Sequence, residues 1–377
     1  MKILHIIPNL KKGGAERIVI DIVRNLSQKN ENTVKLVLFD DKIEYEVDDI
    51  KKLIEIVPSK VELSITKKHQ ISILELQNTI ELFQPDSIHS HLFEAEIVSR
   101  SCTFPKAKWF THSHDRMKSL NDLSLFTIKS KRDLTNYFEK RYLLKCYRKN
   151  GGNNFIAISE DILYFLKSVL PNHMQSIQLL QNAIDLKRFE KPMDFNKVRD
   201  NAVFNMVSIG RLDKNKNHQF LIDVVLDLKN RKIPVDLTIV GEGNQRSALQ
   251  EKISRLDLSN QISLVGSQEK VEAFLWNADL YIHSAITEGF GLTLIEAMAC
   301  GLPVVCTDGK GNRDLIQEGE NGFMVGEKDA KLLADKIELL FKNDNLRQKM
   351  GAKARKFAQG FGMEKYVESL LLLYKNT

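Results

Sequence analysis

LYIHSAITEGFGLTLIEAMACGLPVVCT, residues 280–307, passes from strand to helix and back to strand. The apolar runs Leu280–His283 and Pro303–Thr307 read as buried strands. Between them Gly289 and Gly291 break the chain, and a helical periodicity begins near Gly291. Such a βαβ unit requires a parallel sheet covered by helices. The turn also leaves backbone N–H groups at a helix N-terminus, a geometry suited to phosphate. Glu288 in the turn and Glu296 on the helix can grip hydroxyls of a sugar or a ribose. Taken alone, one glycine-rich turn fits tight packing as well as it fits a ligand, with Glu296 a solvated helix position.

The same alternation continues in both directions. Downstream and upstream in the second half, Phe204–Ile209, Val235–Val240, Ile262–Val265 and Gly322–Val325 read as further strands. In the first half the strands are Ile3–Ile7, Val34–Phe39, Ser87–Ser90, Lys108–Thr111, Phe155–Ile158 and Ile177–Leu180. A helix follows Gly13-Gly14 with Ile18, Ile22, Val23 and Leu26 on one face, and Ile71–Phe83 forms another. The expected fold class is α/β: two Rossmann-like, doubly wound domains facing across a cleft, with ligands bound outside the carboxyl ends of the strands. Periodicity lapses over Gln181–Asn201, so the domains are expected at 1–182 and 183–360.

A chain of 377 residues, 43% hydrophobic and 28% charged, suits two domains and excludes disorder, fibres and disulfide scaffolds. Cys102, Cys146, Cys300 and Cys306 show no metal spacing and fit a reducing compartment. The opening Met1–Pro8 is too short an apolar run for a signal peptide, and no stretch approaches the roughly 18 apolar residues of a membrane span. A cytoplasmic protein is expected, peripheral at the inner face of a membrane if it docks there. The net charge of +6 is concentrated: residues 116–149 hold ten basic and three acidic side chains, which leaves 45 against 46 elsewhere. Phe126, Tyr137, Phe138 and Tyr147 interleave with it. A solvated face and docking to anionic lipid are both readings of this segment. No aromatic-basic repeat supports a nucleic-acid partner.

His112 and His114 alternate along a strand end and so share a face, but the sequence shows no third ligand, and no metal is expected. His89 and His91 end another strand, where polar side chains are usually solvated; they could line the acceptor side. There is no P-loop, no G-x-G-x-x-G after the first strand, and no G-x-S-x-G or H-E-x-x-H.

Glu288 and Glu296 enclose seven residues, as in the E-x7-E signature of family 4 glycosyltransferases, and the intervening GFGLTLI and following AMACGLPVV fit it too. SIGRLDKNKN at 208–217, IVGEG at 239–243, GGAER at 13–17 and PDSIHSH at 85–91 are similar to further elements of that family. NAID at 182–185 resembles another, with Ala183 where glycine is usual. The chain thus resembles the family over nearly its whole length. The resemblance implies the GT-B fold, with a last helix, 361–377, crossing back to the first domain. It implies retaining, metal-independent transfer of a hexose from a nucleotide sugar to a hydroxyl of a glycan or lipid-linked acceptor, in cell-surface polysaccharide biosynthesis. The absence of Asp-x-Asp agrees with this.

The resemblance also distributes roles. Arg211 and Lys216 would neutralise the donor diphosphate, Glu288 would meet the transferred sugar, and Glu296 would bind the ribose. Backbone amides of Gly289, Phe290, Gly291 and Leu292 would hold sugar hydroxyls and phosphate, and Gly13 and Gly14 would approach the same diphosphate. His114 would face the donor sugar, with His112 the second choice. The catalytic set is Glu288, His114, Arg211 and Lys216; no cofactor is expected, the nucleotide sugar being a substrate. Two rivals share the architecture: a nucleotide-sugar epimerase and a non-catalytic scaffold. A scaffold has no physical need for Glu288, Glu296, Arg211 and Lys216 together.

Overall fold

The computed structural model describes residues 1–63, 69–121, 128–195, 203–326 and 329–376. Asp122 and Phe126 of the basic segment, and residues 196–201 of the expected boundary, lie outside the described residues. The chain divides into two compact units: Met1–Ala183 together with Met363–Thr377, and Ile184–Gly362.

The first unit runs β1 (Lys2–Ile7), α1 (Gly14–Ser27), β2 (Thr33–Leu38), β3 (Ile54–Ile56), β4 (Lys60–Glu62), β5 (Gln70–Ser72), α2 (Leu74–Phe83) and β6 (Ser87–His91). It continues with α3 (Leu92–Ser101), β7 (Lys108–Ser113), α4 (Lys131–Asn150), β8 (Asn153–Ala157), α5 (Glu160–Val169) and β9 (Ile177–Leu179). Seven strands form a parallel sheet in the order β3-β2-β1-β6-β7-β8-β9, while β4 and β5 make a separate antiparallel ribbon. The helix expected at Ile71–Phe83 begins only at Leu74. Ile71 pairs instead with Val61 across the ribbon, where its β-branched side chain suits the extended backbone.

The second unit runs β10 (Phe204–Ile209), α6 (His218–Asn230), β11 (Val235–Val240), α7 (Arg246–Arg255), β12 (Ile262–Leu264), α8 (Glu272–Asn277) and β13 (Leu280–His283). Then come α9 (Leu292–Ala299), β14 (Val304–Thr307), β15 (Gly322–Val325), α10 (Ala330–Lys342) and α11 (Asp344–Ala358). Its six parallel strands are ordered β12-β11-β10-β13-β14-β15. Met206, Leu237, Leu280 and Val305 are buried on the sheet, and Leu221 and Val225 of α6 pack into the same core. β10, β13 and β14 are buried along nearly their whole length, as strands covered on both faces are, whereas β11 alternates at Asp236 and Thr238.

Strand order reverses between β10 and β13 in this unit, and between β1 and β6 in the first. In a doubly wound sheet the loops leaving the two strands at such a reversal splay apart and open a crevice at their carboxyl ends. The last helix, α12 (Met363–Asn376), belongs to the first unit and packs on α1. Its Tyr374 is buried, with its hydroxyl 2.5 Å from His89 Nδ1, and the Lys108 ammonium donates to the carbonyls of Tyr374 and Lys375 at 3.0 and 3.1 Å. Below the sheet, fully buried Arg100 bonds Glu96, Thr111 and Asn153 and ties α3 to β7 and β8. Among the described residues no helix is long and apolar enough to cross a membrane.

Candidate active site

In the second unit the two loops at the strand reversal are joined by hydrogen bonds. Asn215, in the loop after β10, accepts at its backbone oxygen from Ile286 N at 2.8 Å and donates from Nδ2 to Thr287 O at 2.8 Å. Its Oδ1 accepts from the Thr287 hydroxyl at 2.7 Å, and Ser284 Oγ donates to Lys216 O at 2.7 Å. Asn217 then adopts a left-handed conformation, φ 52°, which asparagine tolerates and which turns the chain into α6. Lys216 is thereby placed at the mouth of the reversal.

From there the Lys216 ammonium bonds Glu288 Oε1, and His283 Nε2, at the end of β13, donates to the same oxygen at 2.8 Å. The Glu288 side chain is only 11% exposed. Burial alone would raise its pKa, but the Lys216 charge and the His283 bond more than offset this and hold the carboxyl down, from 4.5 to about 2. His283 is itself buried, which lowers its pKa against the pull of Glu288, so a neutral imidazole donates through Nε2. Its Nδ1 faces the Tyr281 hydroxyl at 3.4 Å, and that hydroxyl donates to Thr293 Oγ1 on α9 at 2.8 Å.

The Glu288 backbone is fixed as well, its N–H donating to Gly309 O at 2.7 Å. Gly311 passes so close that a Cβ there would lie 2.4 Å from the carbonyl oxygens of Glu288 and Gly289. Gly291 caps α9 with φ 98°, a conformation that favours glycine. Gly289, Phe290, Gly291 and Leu292 therefore lead into the start of α9, with Phe290 and Gly291 buried, and Glu296 sits further along the helix. Arg211 is placed differently. Its side chain is 73% exposed and bonds Asp213 at 3.1 Å, away from the Lys216–Glu288 pair. Asp213 also accepts from the Lys216 backbone N–H at 2.9 Å. Neither His283 nor Asp213 was singled out by the sequence. The contact of His283 with Glu288 spans a turn, for which no spacing rule exists.

In the first unit Gly13 and Gly14 start α1, and Tyr45 is hydrogen-bonded to both polar groups of the Gly13 backbone, at 3.1 and 2.9 Å. Gly13 has an extended backbone; a Cβ there would fall 2.2 Å from Glu16 Oε2, so a carboxylate of the chain itself lies against this helix start. His114 follows β7, partly buried.

The strand-end histidines depart from expectation: His89 and His91 are fully buried, because the parallel register sets His5 beside His89 and His91 beside His112. The fold also supplies the third ligands that the sequence did not show. His5, His89 and His91 form one group and His91, His112 and His114 another, with nitrogens within 4.8 Å of one another. His112 and His114 stack at 4.2 Å with 9° between planes, and His89 and His91 at 4.4 Å with 24°. Lone pairs lie in the ring planes, so stacked rings send them along near-parallel lines and not toward one ion.

Residues 191–357, most of the second unit, match the family model of glycosyl transferases group 1. The chain is 27% identical over 381 residues to N-acetylgalactosamine-N,N'-diacetylbacillosaminyl-diphospho-undecaprenol 4-alpha-N-acetylgalactosaminyltransferase of Campylobacter jejuni, covering 96% of each chain. It is 24% identical to the capsular polysaccharide biosynthesis glycosyltransferase CapM of Staphylococcus aureus, over 94% of this chain and 91% of that one. The crystal structure of Anabaena HepE in complex with UDP and glucose superposes with a TM-score of 0.81 at 20% identity, covering all of both chains. The chain therefore has the GT-B fold, and residues 191–357 of its second unit are similar to the group 1 glycosyl transferases. It is a glycosyltransferase, related to enzymes of bacterial surface-polysaccharide biosynthesis.

Proposed function

We propose that the protein transfers a hexose from a nucleoside diphosphate sugar to a hydroxyl of a lipid-linked glycan, with retention and without a metal. The observation that carries this is the meeting of Lys216 and Glu288 at the β10–β13 reversal, beside the glycine-rich start of α9. That crevice offers an ammonium, a carboxylate and helix N–H groups, which together match a diphosphate joined to a polyol. HepE binding UDP and glucose, and the Campylobacter relative named for a diphospho-undecaprenol acceptor, support the choice of donor and acceptor class.

In the proposed reaction the bond from the anomeric carbon to the diphosphate oxygen breaks as the acceptor oxygen attacks from the same face. The acceptor proton passes to the departing diphosphate. Lys216, with Arg211 swinging in from its exposed position, stabilises the negative charge that develops there. Glu288 aligns the sugar, Glu296 holds the ribose, and the amides of residues 289–292 take the remaining oxygens. Cationic side chains thus do the work that a divalent ion does in other transferases.

We further propose a cytoplasmic, peripheral location. α4 exposes Lys131, Arg132, Arg141, Lys145, Arg148 and Lys149 together with Phe138, a surface suited to anionic headgroups beside a lipid-linked acceptor. The test is turnover of UDP-, GDP- and ADP-sugars with undecaprenyl-diphosphate-linked glycans. Transfer with retained anomeric configuration, unaffected by a chelator, is the expected result. Rearrangement of the donor sugar without acceptor would replace this reading with an epimerase.

A further inference from the structure

His5, His91 and His114 stand on three adjacent segments and form a single head-to-tail line. His5 Nδ1 lies 2.9 Å from His91 Nε2, and His91 Nδ1 lies 3.1 Å from His114 Nε2. The ring centroids are 5.2 and 5.3 Å apart. Those separations exceed the N–N distances by about the two ring radii, so each pair meets nearly in line, a good hydrogen-bond geometry. Leu92, next to His91, is held at φ 69°, a conformation that a branched side chain avoids unless its surroundings impose it.

Burial keeps all three imidazoles neutral: it lowers His5 to about 3, lowers His114 to about 3, and places His91 well below its ordinary value. A neutral imidazole carries one proton on two nitrogens, and each N–N contact here holds one proton. The line can therefore have only two polarities. One would put an N–H on His5 Nε2, which is buried and faces no partner among the described residues. Orphaned buried N–H groups are rare, whereas an unused lone pair is more readily tolerated. The other polarity runs from His5 Nδ1–H to His91 Nε2 and from His91 Nδ1–H to His114 Nε2, which leaves the proton of His114 on Nδ1.

We infer that His5 and His91 are positioning residues that fix His114 as its Nδ1–H tautomer, so that His114 presents a hydrogen-bond donor and not a base to an oxygen of a bound substrate. The inference rests on the reading of the protein as a glycosyltransferase with His114 beside a substrate. It also explains why buried histidines extend inward from a single partly exposed one. The stacked neighbours His89 and His112 wall the line from the sides and hold its rings in plane. A transferase whose leaving diphosphate takes the acceptor proton needs no base at this position.

The test is long-range 1H–15N correlation on full-length protein labelled at histidine nitrogens, combined with kinetics. Nδ1–H is expected on His5, His91 and His114. His91→Phe should let His114 move toward Nε2–H and lower kcat roughly tenfold, the worth of one hydrogen bond, with KM for the acceptor unchanged. His91→Asn places an amide N–H near the lost Nδ1–H and should restore both the tautomer and most of kcat. An Nε2–H signal on His114 in the unaltered protein would overturn the inference, as would a His114 tautomer that His91→Phe leaves unmoved. Zinc shifting these resonances stoichiometrically would also overturn it, in favour of a metal site. If the tautomers are as expected but His114→Ala transfers sugar normally, the role assigned to His114 fails while the polarity of the line stands.

Discussion

Lys216 and Glu288 are bound to each other across the β10–β13 reversal, and His283 shares the same carboxylate oxygen. The ammonium is thus held in an ion pair, and under the proposed function a diphosphate must compete with Glu288 for it. Removing either partner leaves the other buried and uncompensated.

Replacement of Lys216 or Glu288 by Ala should each lower kcat/KM by at least about a hundredfold, as their proposed roles in charge stabilisation and orientation require. The two are in contact, so the double variant should be far less impaired than the product of the single losses. Steady-state transfer assays on the four proteins of the cycle measure this. Strict multiplicativity would mean that the pair does not act as a unit.

Glu288 is more acidic in the folded chain than the ordinary value of 4.5, at about 2. Its ionisation therefore stabilises the fold above pH 4.5, and this contribution fades as pH falls from there toward about 2. Thermal unfolding across that window should show a steeper loss for the unaltered protein than for Glu288→Gln. Parallel curves would assign the acid sensitivity to other carboxylates.

His283→Ala removes the neutral donor to Glu288 and frees the carboxylate to rotate about its ammonium partner. A stability loss of about 1–3 kcal/mol is expected from the unsatisfied buried groups, read by denaturant unfolding. kcat should fall more than donor affinity, because the loss is one of alignment. His283→Gln, which can still donate, should recover part of both.

Gly311→Ala sets a methyl group 2.4 Å from the carbonyl oxygens of Glu288 and Gly289, so the loop carrying the Glu288 carboxylate must shift. Donor KM should rise and Tm fall by several degrees. Gly326→Ala is the control: among the described residues nothing lies within 4 Å of its added carbon, and its Tm should stay within a degree or so.

Charge reversal at Lys131, Arg132, Lys140 and Arg141 should reduce co-sedimentation with vesicles rich in anionic lipid by tenfold or more, at about 1 kcal/mol per charge. Binding to zwitterionic vesicles should be weak for both proteins, and added salt should mimic the substitutions. Salt-insensitive binding that survives the reversal would remove α4 as the docking element.

The alternation of β10, β13 and β14 with helices was legible because these strands are buried on both faces and mostly apolar, and β11 because Val235, Leu237 and Ile239 alternate with Asp236 and Thr238. The strands β3, β4 and β5 were not, since three residues carry no usable period and Ile71 fits a helix face as well as a ribbon. Glu288 and Lys216 could be placed on loops from motif and spacing. That they touch, and that Arg211 turns to Asp213, depends on side-chain geometry to which spacing is blind. The histidines show the same limit from another side. Only His112 and His114 are related by local sequence; His5 and His91 join them through strand register, which arises between segments far apart in the chain.

The return of α12 to the first unit affects how the chain comes to be folded. Residues 184–362 leave the ribosome as a continuous unit able to close on its own core, whereas the earlier 183 residues still lack Tyr374 against His89 and the cover over α1. The unit synthesised first is thus completed last, by residues 363–376. A chain ended at residue 362 should show a protease-resistant second unit and a first unit still open to cleavage.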